Sequence, residues 1–283
     1  MRRLVAACAI SLAAGASWAN DLPVFSTEVE MVRLDVSVTR DGQPVKGLTA
    51  ADFEIRDNGV AQEVELVGGE DKTVDTVLAL DTSSSLAGLP LGRLKAAAHA
   101  FVDVLHPQDA FSLLTFSDRI QAKVTPGDRR ERAHEVIEAT QARLSTALYD
   151  AAFAALSLAD SARGRPLVLV FSDGQDVGSW VRPERVLRLA KESDLVVYAV
   201  VTRLEGSEVD FLRELATVTG GEVWSAEHQE LKDILLRAIE EFRTRYTLRY
   251  ALSGPAHDGW HKIEVGIKHA PATVRARKGY WHR

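Results

Sequence analysis

An unbroken apolar run, Val77-Leu78-Ala79-Leu80, opens directly into Asp81-Thr82-Ser83-Ser84-Ser85. A strand that is apolar at every position is buried on both faces, which is the situation of a central strand in a parallel sheet covered by helices. Ligands of such sheets gather at the carboxyl ends of the strands. Asp81, Ser83 and Ser85 stand at that end as hard oxygen groups on alternate positions of a tight loop, and oxygen donors of this kind are what magnesium or calcium takes. The same residue types also favour turns and helix caps, so the triplet alone does not decide for metal.

Two later stretches repeat the theme. Leu167-Val168-Leu169-Val170-Phe171 is a second apolar strand, ending in Ser172-Asp173-Gly174, which predicts Asp173 on the same rim as Asp81. Between them Thr146 supplies a third hydroxyl at the entry to an alanine-rich helix. In order and approximate spacing this set resembles the metal-ion-dependent adhesion site of von Willebrand factor type A (VWA) domains, across residues 74 to 246. The resemblance implies that Ser83, Ser85 and Thr146 touch the metal while Asp81 and Asp173 act mostly through water. It further implies Mg2+, or another divalent cation such as Ca2+ or Mn2+, and a partner that supplies a Glu or Asp carboxylate. Many relatives carry glycines just before the threonine, where this chain has Leu144 and Ser145.

From Asp75 onward strand patterns alternate with helical ones, which predicts an α/β fold with a doubly wound, mostly parallel, Rossmann-like sheet. Leu94, Ala97, Ala98, Phe101, Val102 and Leu105 recur at helical spacing and read as core. A charged helix is expected over about 129–142, with Arg129, Arg130 and Arg132 on a solvated face. Further helices are expected over about 183–193 and 209–218, the latter ended by Gly220-Gly221, and Leu231 to Phe242 stripe a last one. Either side of this unit the pattern has period two, the mark of strands with one buried face. Before it lie Val32 to Thr39 and Phe53 to Arg56, with Asp57-Asn58-Gly59 as a turn and Val64 to Val67 as the returning strand. After it lie Tyr246 to Tyr250, Lys262 to Ile267 and Val274 to Arg277. Each flank is too small to hold a core of its own. The expected division is residues 1–19 as a signal peptide, 20–73 as an N-terminal β segment, 74–246 as the VWA domain and 247–283 as a C-terminal β segment, the two flanks forming a small β-sandwich. With its tail Lys278-Gly279-Tyr280-Trp281, the chain is similar to the exported VWFA-related family named for Acidobacteria.

Met1 to Ala19 has two arginines, an apolar run and small residues before Asn20, the pattern of a cleaved export signal. Val5-Ala6-Ala7-Cys8 resembles a lipobox, but its apolar run is short. Cys8 is the single cysteine, so no disulfide is expected after cleavage. The chain is then a periplasmic or secreted protein with no membrane span. Losing Arg2 and Arg3 takes the formal charge from −6 to −8, which disfavours nucleic acid as a partner.

No phosphate loop, G-x-S-x-G elbow or H-E-x-x-H helix is present. The sequence therefore points to a non-enzymatic, cation-dependent adhesion or assembly module. The enzymatic alternative is a metal-dependent hydrolase or phosphotransferase using Asp81. An aspartyl-phosphate enzyme, however, places a second acid where Ser83 stands. His257 and His261 flank an expected turn at Asp258-Gly259-Trp260 and fall short of a four-ligand zinc site. Asp118 and Asp176 lie just past strand ends and read as solvated loop acids, the alternative being that they tune the metal or the partner surface.

Overall fold

The computed structural model describes residues 31–67, 73–162, 164–173, 175–202, 205–226, 230–253, 258–268 and 271–282. The expected signal peptide, Cys8, Gly174 and His257 lie outside the described residues. The head contains β1 (Met31–Arg40), β2 (Gln43–Pro44), β3 (Phe53–Asp57), β4 (Val60–Gln62) and β5 (Glu65–Leu66). The middle follows as β6 (Val74–Asp81), α1 (Leu89–Asp103), β7 (Ala110–Phe116), β8 (Ile120–Val124), α2 (Arg130–Ala139), α3 (Leu148–Asp160) and β9 (Arg165–Ser172). It continues through α4 (Pro183–Glu192), β10 (Val196–Val201), α5 (Ser207–Thr219), β11 (Glu222–Ser225) and α6 (Leu231–Arg243). The tail is β12 (Tyr246–Ala251), β13 (Gly259–Ile267), β14 (Thr273–Arg275) and β15 (Gly279–His282).

The middle strands form one sheet in the order β11-β10-β9-β6-β7-β8, parallel except for the hairpin strand β8. Successive residues of a strand face opposite sides, and β6 uses both. Leu78 and Leu80 pack under α1, α2 and α6, whereas Val77 and Ala79 pack under α3, α4 and α5. β6 lies between β7 and β9, where the chain's progression across the sheet reverses. Such a switch point leaves a crevice at the carboxyl ends of the strands. α2 stops at Ala139, short of the expected 142, because Thr140 turns to extended backbone and starts the loop that carries Thr146.

Head and tail share two antiparallel sheets. One has the order β14-β1-β12-β5 with β2 added to β1, the other β15-β13-β3-β4. Leu34, Val36, Ile55, Tyr250, Ile263 and Tyr280 from the two sheets pack in a single apolar cluster. The return strand departs from expectation. A two-residue turn brings back the residues that follow it at once, and with Asn58 and Gly59 both at positive φ the strand paired to β3 is Val60–Gln62. Glu65 and Leu66 instead cross to the other sheet and pair with β12. Gly259 and Trp260, expected in a turn, already pair with His282 and Trp281 as the first residues of β13. Arg130 also leaves the expected solvated face to donate to the Leu105 carbonyl.

A buried polar seam joins the two units at the amino ends of the parallel strands. Arg165, the first residue of β9, donates to Asp35 of β1 at 2.8 Å and to the Phe242 carbonyl at 3.1 Å. Arg245 donates to the Asp35 and Gly220 carbonyls at 3.2 and 2.6 Å. Burial works to raise the Asp35 carboxyl, but Arg165, Arg33, the Thr247 hydroxyl and Arg245 together hold it below the ordinary value. No helix among the described residues is long and apolar enough to cross a membrane.

Candidate metal centre

β6 ends at Asp81 beside the end of β9, and the two strand ends build the site from opposite sides. The Asp81 carboxyl is fully buried. One oxygen accepts from the Ser83 backbone N–H at 2.8 Å, and the other from the Ser172 hydroxyl at 2.8 Å. The first bond turns the chain sharply after the strand, so that the Ser83 and Ser85 hydroxyls meet at 2.9 Å. The Ser85 hydroxyl in turn donates to Asp173 at 2.5 Å. Asp81, Ser83, Ser85 and Asp173 are thus one connected cluster of oxygen atoms.

Thr146 is buried on the adjoining loop, and the hydrogen bonds linking the other four do not involve its hydroxyl. The backbone holds this loop against the first one. Arg143 N–H donates to the Thr82 carbonyl at 2.7 Å, and the Ser84 hydroxyl donates to the Leu144 carbonyl at 3.0 Å. On the far side the Thr146 carbonyl accepts from Val177 and Gly178 N–H at 2.9 and 3.0 Å. Leu144 and Ser145 therefore sit in a loop pinned at both edges, with the Leu144 side chain projecting outward.

Sequence reading missed three supports. Ser172 anchors Asp81. Asp176, expected to be solvated, accepts from the Leu148 and Tyr149 N–H groups at 2.7 and 3.3 Å and so caps α3. Asp150 returns the favour by accepting from Trp180 and Val181 N–H at 3.0 and 2.7 Å. Asp118 stays at the rim, partly exposed, accepting from the Ser117 hydroxyl. His261, the described member of the histidine pair, is buried against Asp57 at 2.7 Å, far along the chain from the rim.

Burial pushes the Asp81 carboxyl up to about 6, the Ser83 and Ser172 hydrogen bonds pull it back, and the nearby Asp173 adds a small push. No Lys or Arg among the described residues forms an ion pair with Asp81 or Asp173. Two buried carboxylates joined by hydroxyls and lacking a cationic side chain fit a hard divalent ion, which brings the missing charge and takes oxygen donors. Among the described residues no group of three or more His, Cys, Asp or Glu converges as a metal site. The donor set here is of a different kind, with hydroxyls outnumbering carboxylates.

The four most exposed large apolar side chains among the described residues surround these loops. Leu89 (80%), Leu144 (87%), Val177 (73%) and Trp180 (94%) belong to the segments after β6, before α3 and after β9.

An open α/β sheet with an aspartate–hydroxyl cluster at its central switch point defines a class of ligand-binding domain. Residues 76–175 match the von Willebrand factor type A domain model, and the chain carries a domain of that type. Proximal thread matrix protein 1 of the mussel byssus, solved with a zinc-occupied MIDAS motif, is 18% identical with a TM-score of 0.54. That match covers 65% of this chain and 49% of the mussel protein, so this chain spans about half its length. A von Willebrand factor type A protein of Catenulispora acidiphila is 13% identical, with a TM-score of 0.52 over 88% of this chain and 73% of its own. The vWF domain of the type V pili tip protein Mfa5 from Porphyromonas gingivalis is 10% identical, with a TM-score of 0.50 over 66% and 98%. At such identities the likeness establishes the fold. No curated protein matches the chain.

Proposed function

We propose that this chain is an exported, divalent-cation-dependent protein-binding module, serving adhesion or assembly, that holds a Glu or Asp carboxylate of its partner. Ser83, Ser85 and Thr146 would hold the ion directly, with Asp81 and Asp173 behind them, and Mg2+ is the first candidate. The observation that carries the reading is the pair of buried carboxylates, Asp81 and Asp173, without a cationic partner in a cluster otherwise made of hydroxyls. An ion dressed mainly by neutral oxygens stays electron-poor, and when bound it supplies a Lewis-acidic position for an outside carboxylate. Leu89, Leu144, Val177 and Trp180, large apolar side chains left exposed on the segments beside the cluster, support a protein partner. The zinc-occupied motif of the mussel protein supports the same use of the site by analogy of fold.

A hydrolase or phosphotransferase using Asp81 is less well supported. A nucleophile must reach its substrate, whereas both oxygens of the fully buried Asp81 are already engaged.

Calorimetry tests the metal assignment. Ion-stripped protein titrated with Mg2+ in the presence of a carboxylate ligand should show one site, lost in Asp81→Ala and weakened in Thr146→Ala. Absence of binding by the unaltered chain would sink it. A pull-down from the source envelope with Mg2+ against chelator tests the partner. A partner kept equally under both conditions would separate binding from the metal, and phosphoester turnover lost in Asp81→Ala would favour the enzyme.

A further inference from the structure

On the α1–α2 surface, the His99 and His134 rings meet edge to edge with near-parallel planes, their centroids 5.0 Å apart and 14° between planes. Their Nδ1 atoms are 2.7 Å apart. The outer nitrogens point to carboxylates of the opposite helix: His134 Nε2 lies 3.2 Å from Asp103 of α1, and His99 Nε2 lies 3.6 Å from Glu138 of α2. Each helix thus contributes a histidine and, four residues later, an acid, in a crossed arrangement. A carboxylate beside Nε2 keeps the proton on that nitrogen. At 2.7 Å the two Nδ1 atoms are within hydrogen-bond distance, one donating to the other's lone pair, and a metal cation can take the place of that bridging proton.

We propose that His99 and His134 form a second metal site, binding zinc or a similar imidazole-preferring transition ion through their Nδ1 atoms, with Asp103 and Glu138 orienting the rings. Metal-bound histidines commonly donate their other N–H to a carboxylate, and Asp103 stands within reach of His134 Nε2, with Glu138 a longer 3.6 Å from His99 Nε2. Two nitrogens on a tetrahedral zinc, with bonds of about 2.0–2.1 Å, stand roughly 3.3 Å apart. The rings therefore need to part by roughly half an ångström beyond the 2.7 Å seen. Their side chains, 29% and 33% exposed, have room to do so. No third acid or imidazole converges with them among the described residues, so water completes the coordination and binding is of moderate strength. The ion would bridge α1 to α2. The donors are nitrogens, which sets this site apart from the all-oxygen cluster at the strand ends.

The two sites are separated by working in an Asp81→Ala background, because zinc can also occupy an oxygen site. Zinc titrated into full-length Asp81→Ala protein is expected to bind at one equivalent. Adding His134→Ala or His99→Ala should abolish that uptake, and adding Asp103→Asn should weaken it about 10- to 100-fold. Nitrogen NMR of the imidazoles gives a second readout that does not depend on a variant folding, with zinc expected to shift Nδ1 and not Nε2. Equal zinc uptake with and without His134 would overturn the proposal. So would Nδ1 signals that respond to pH and never to zinc, which would assign the pair to a shared proton.

Discussion

Asp81 is charged at a cost. Its carboxyl is raised from an ordinary 3.8 to about 6 by burial, so the folded chain keeps a proton that the unfolded chain has already released. Asp81's own contribution to the stability of the ion-free protein is therefore fully present below about pH 4 and lost by about pH 6, roughly 3 kcal/mol in all, while the lowered carboxyls of Asp35 and Glu241 act in the opposite sense. Thermal melts of ion-stripped protein compared with Asp81→Asn across this range are expected to show the unaltered chain losing stability relative to the variant as pH rises, and saturating Mg2+ should restore the loss selectively above pH 6. A difference between the two that does not change with pH would contradict the assignment. At this scale Asp81, Ser83, Ser85 and Asp173 were legible because an apolar run followed by alternating oxygen groups is a local pattern. Ser172 reads only as the residue before Asp173 in the strand-end motif. Its bond to Asp81 crosses from one strand end to another 91 residues away, and nothing local announces it.

Helices and loops are tied to the site by acids whose partners lie far along the chain. Asp176 caps α3 across 28 residues, so no capping spacing exists in the sequence and the residue reads as a loop acid. Asp176→Ala should cost about 1 kcal/mol in stability. It should also lower Mg2+ affinity, because Thr146 stands two residues before α3; unchanged affinity in calorimetry would detach that helix start from the site. The end of α5 was legible, since Gly220 followed by Gly221 is a common helix stop. What the pattern does not carry is the reason Gly220 must be glycine. Its φ is +77°, and a β-carbon there would lie 2.4 Å from the Ala276 carbonyl carbon of the tail. Gly220→Ala should lower stability by about 1–3 kcal/mol, read from denaturant midpoints. Strand periods likewise placed most of β1, β3 and β13, whereas the crossing of Glu65 and Leu66 between sheets follows from tertiary pairing alone.

At the scale of the whole molecule, the polar seam under the α/β unit decides how firmly the halves are joined. Asp35→Ala would leave the buried Arg165 without its carboxylate and strip Arg245 of a neighbouring charge. Breaking a buried pair from one side costs about 3–5 kcal/mol. Asp35→Ala is accordingly expected to melt well below the unaltered chain, with Asp35→Asn in between. We further propose that residues 74–246 form a separable unit and that removing 247–283 exposes the head to protease, since β12 and β13 complete its sheets. The seam sits where the parallel strands begin, and the aspartate–hydroxyl cluster where they end. β6, eight residues long, connects one pole to the other, a span of roughly 26 Å. A pull on a partner held at the far pole, as proposed, would run lengthwise through β6 and β9 into β1 and β12, loading their ladders in shear, with many hydrogen bonds resisting together. Under the proposed binding role the molecule would take tension end to end, and its mechanical strength should exceed what its thermal stability alone would suggest.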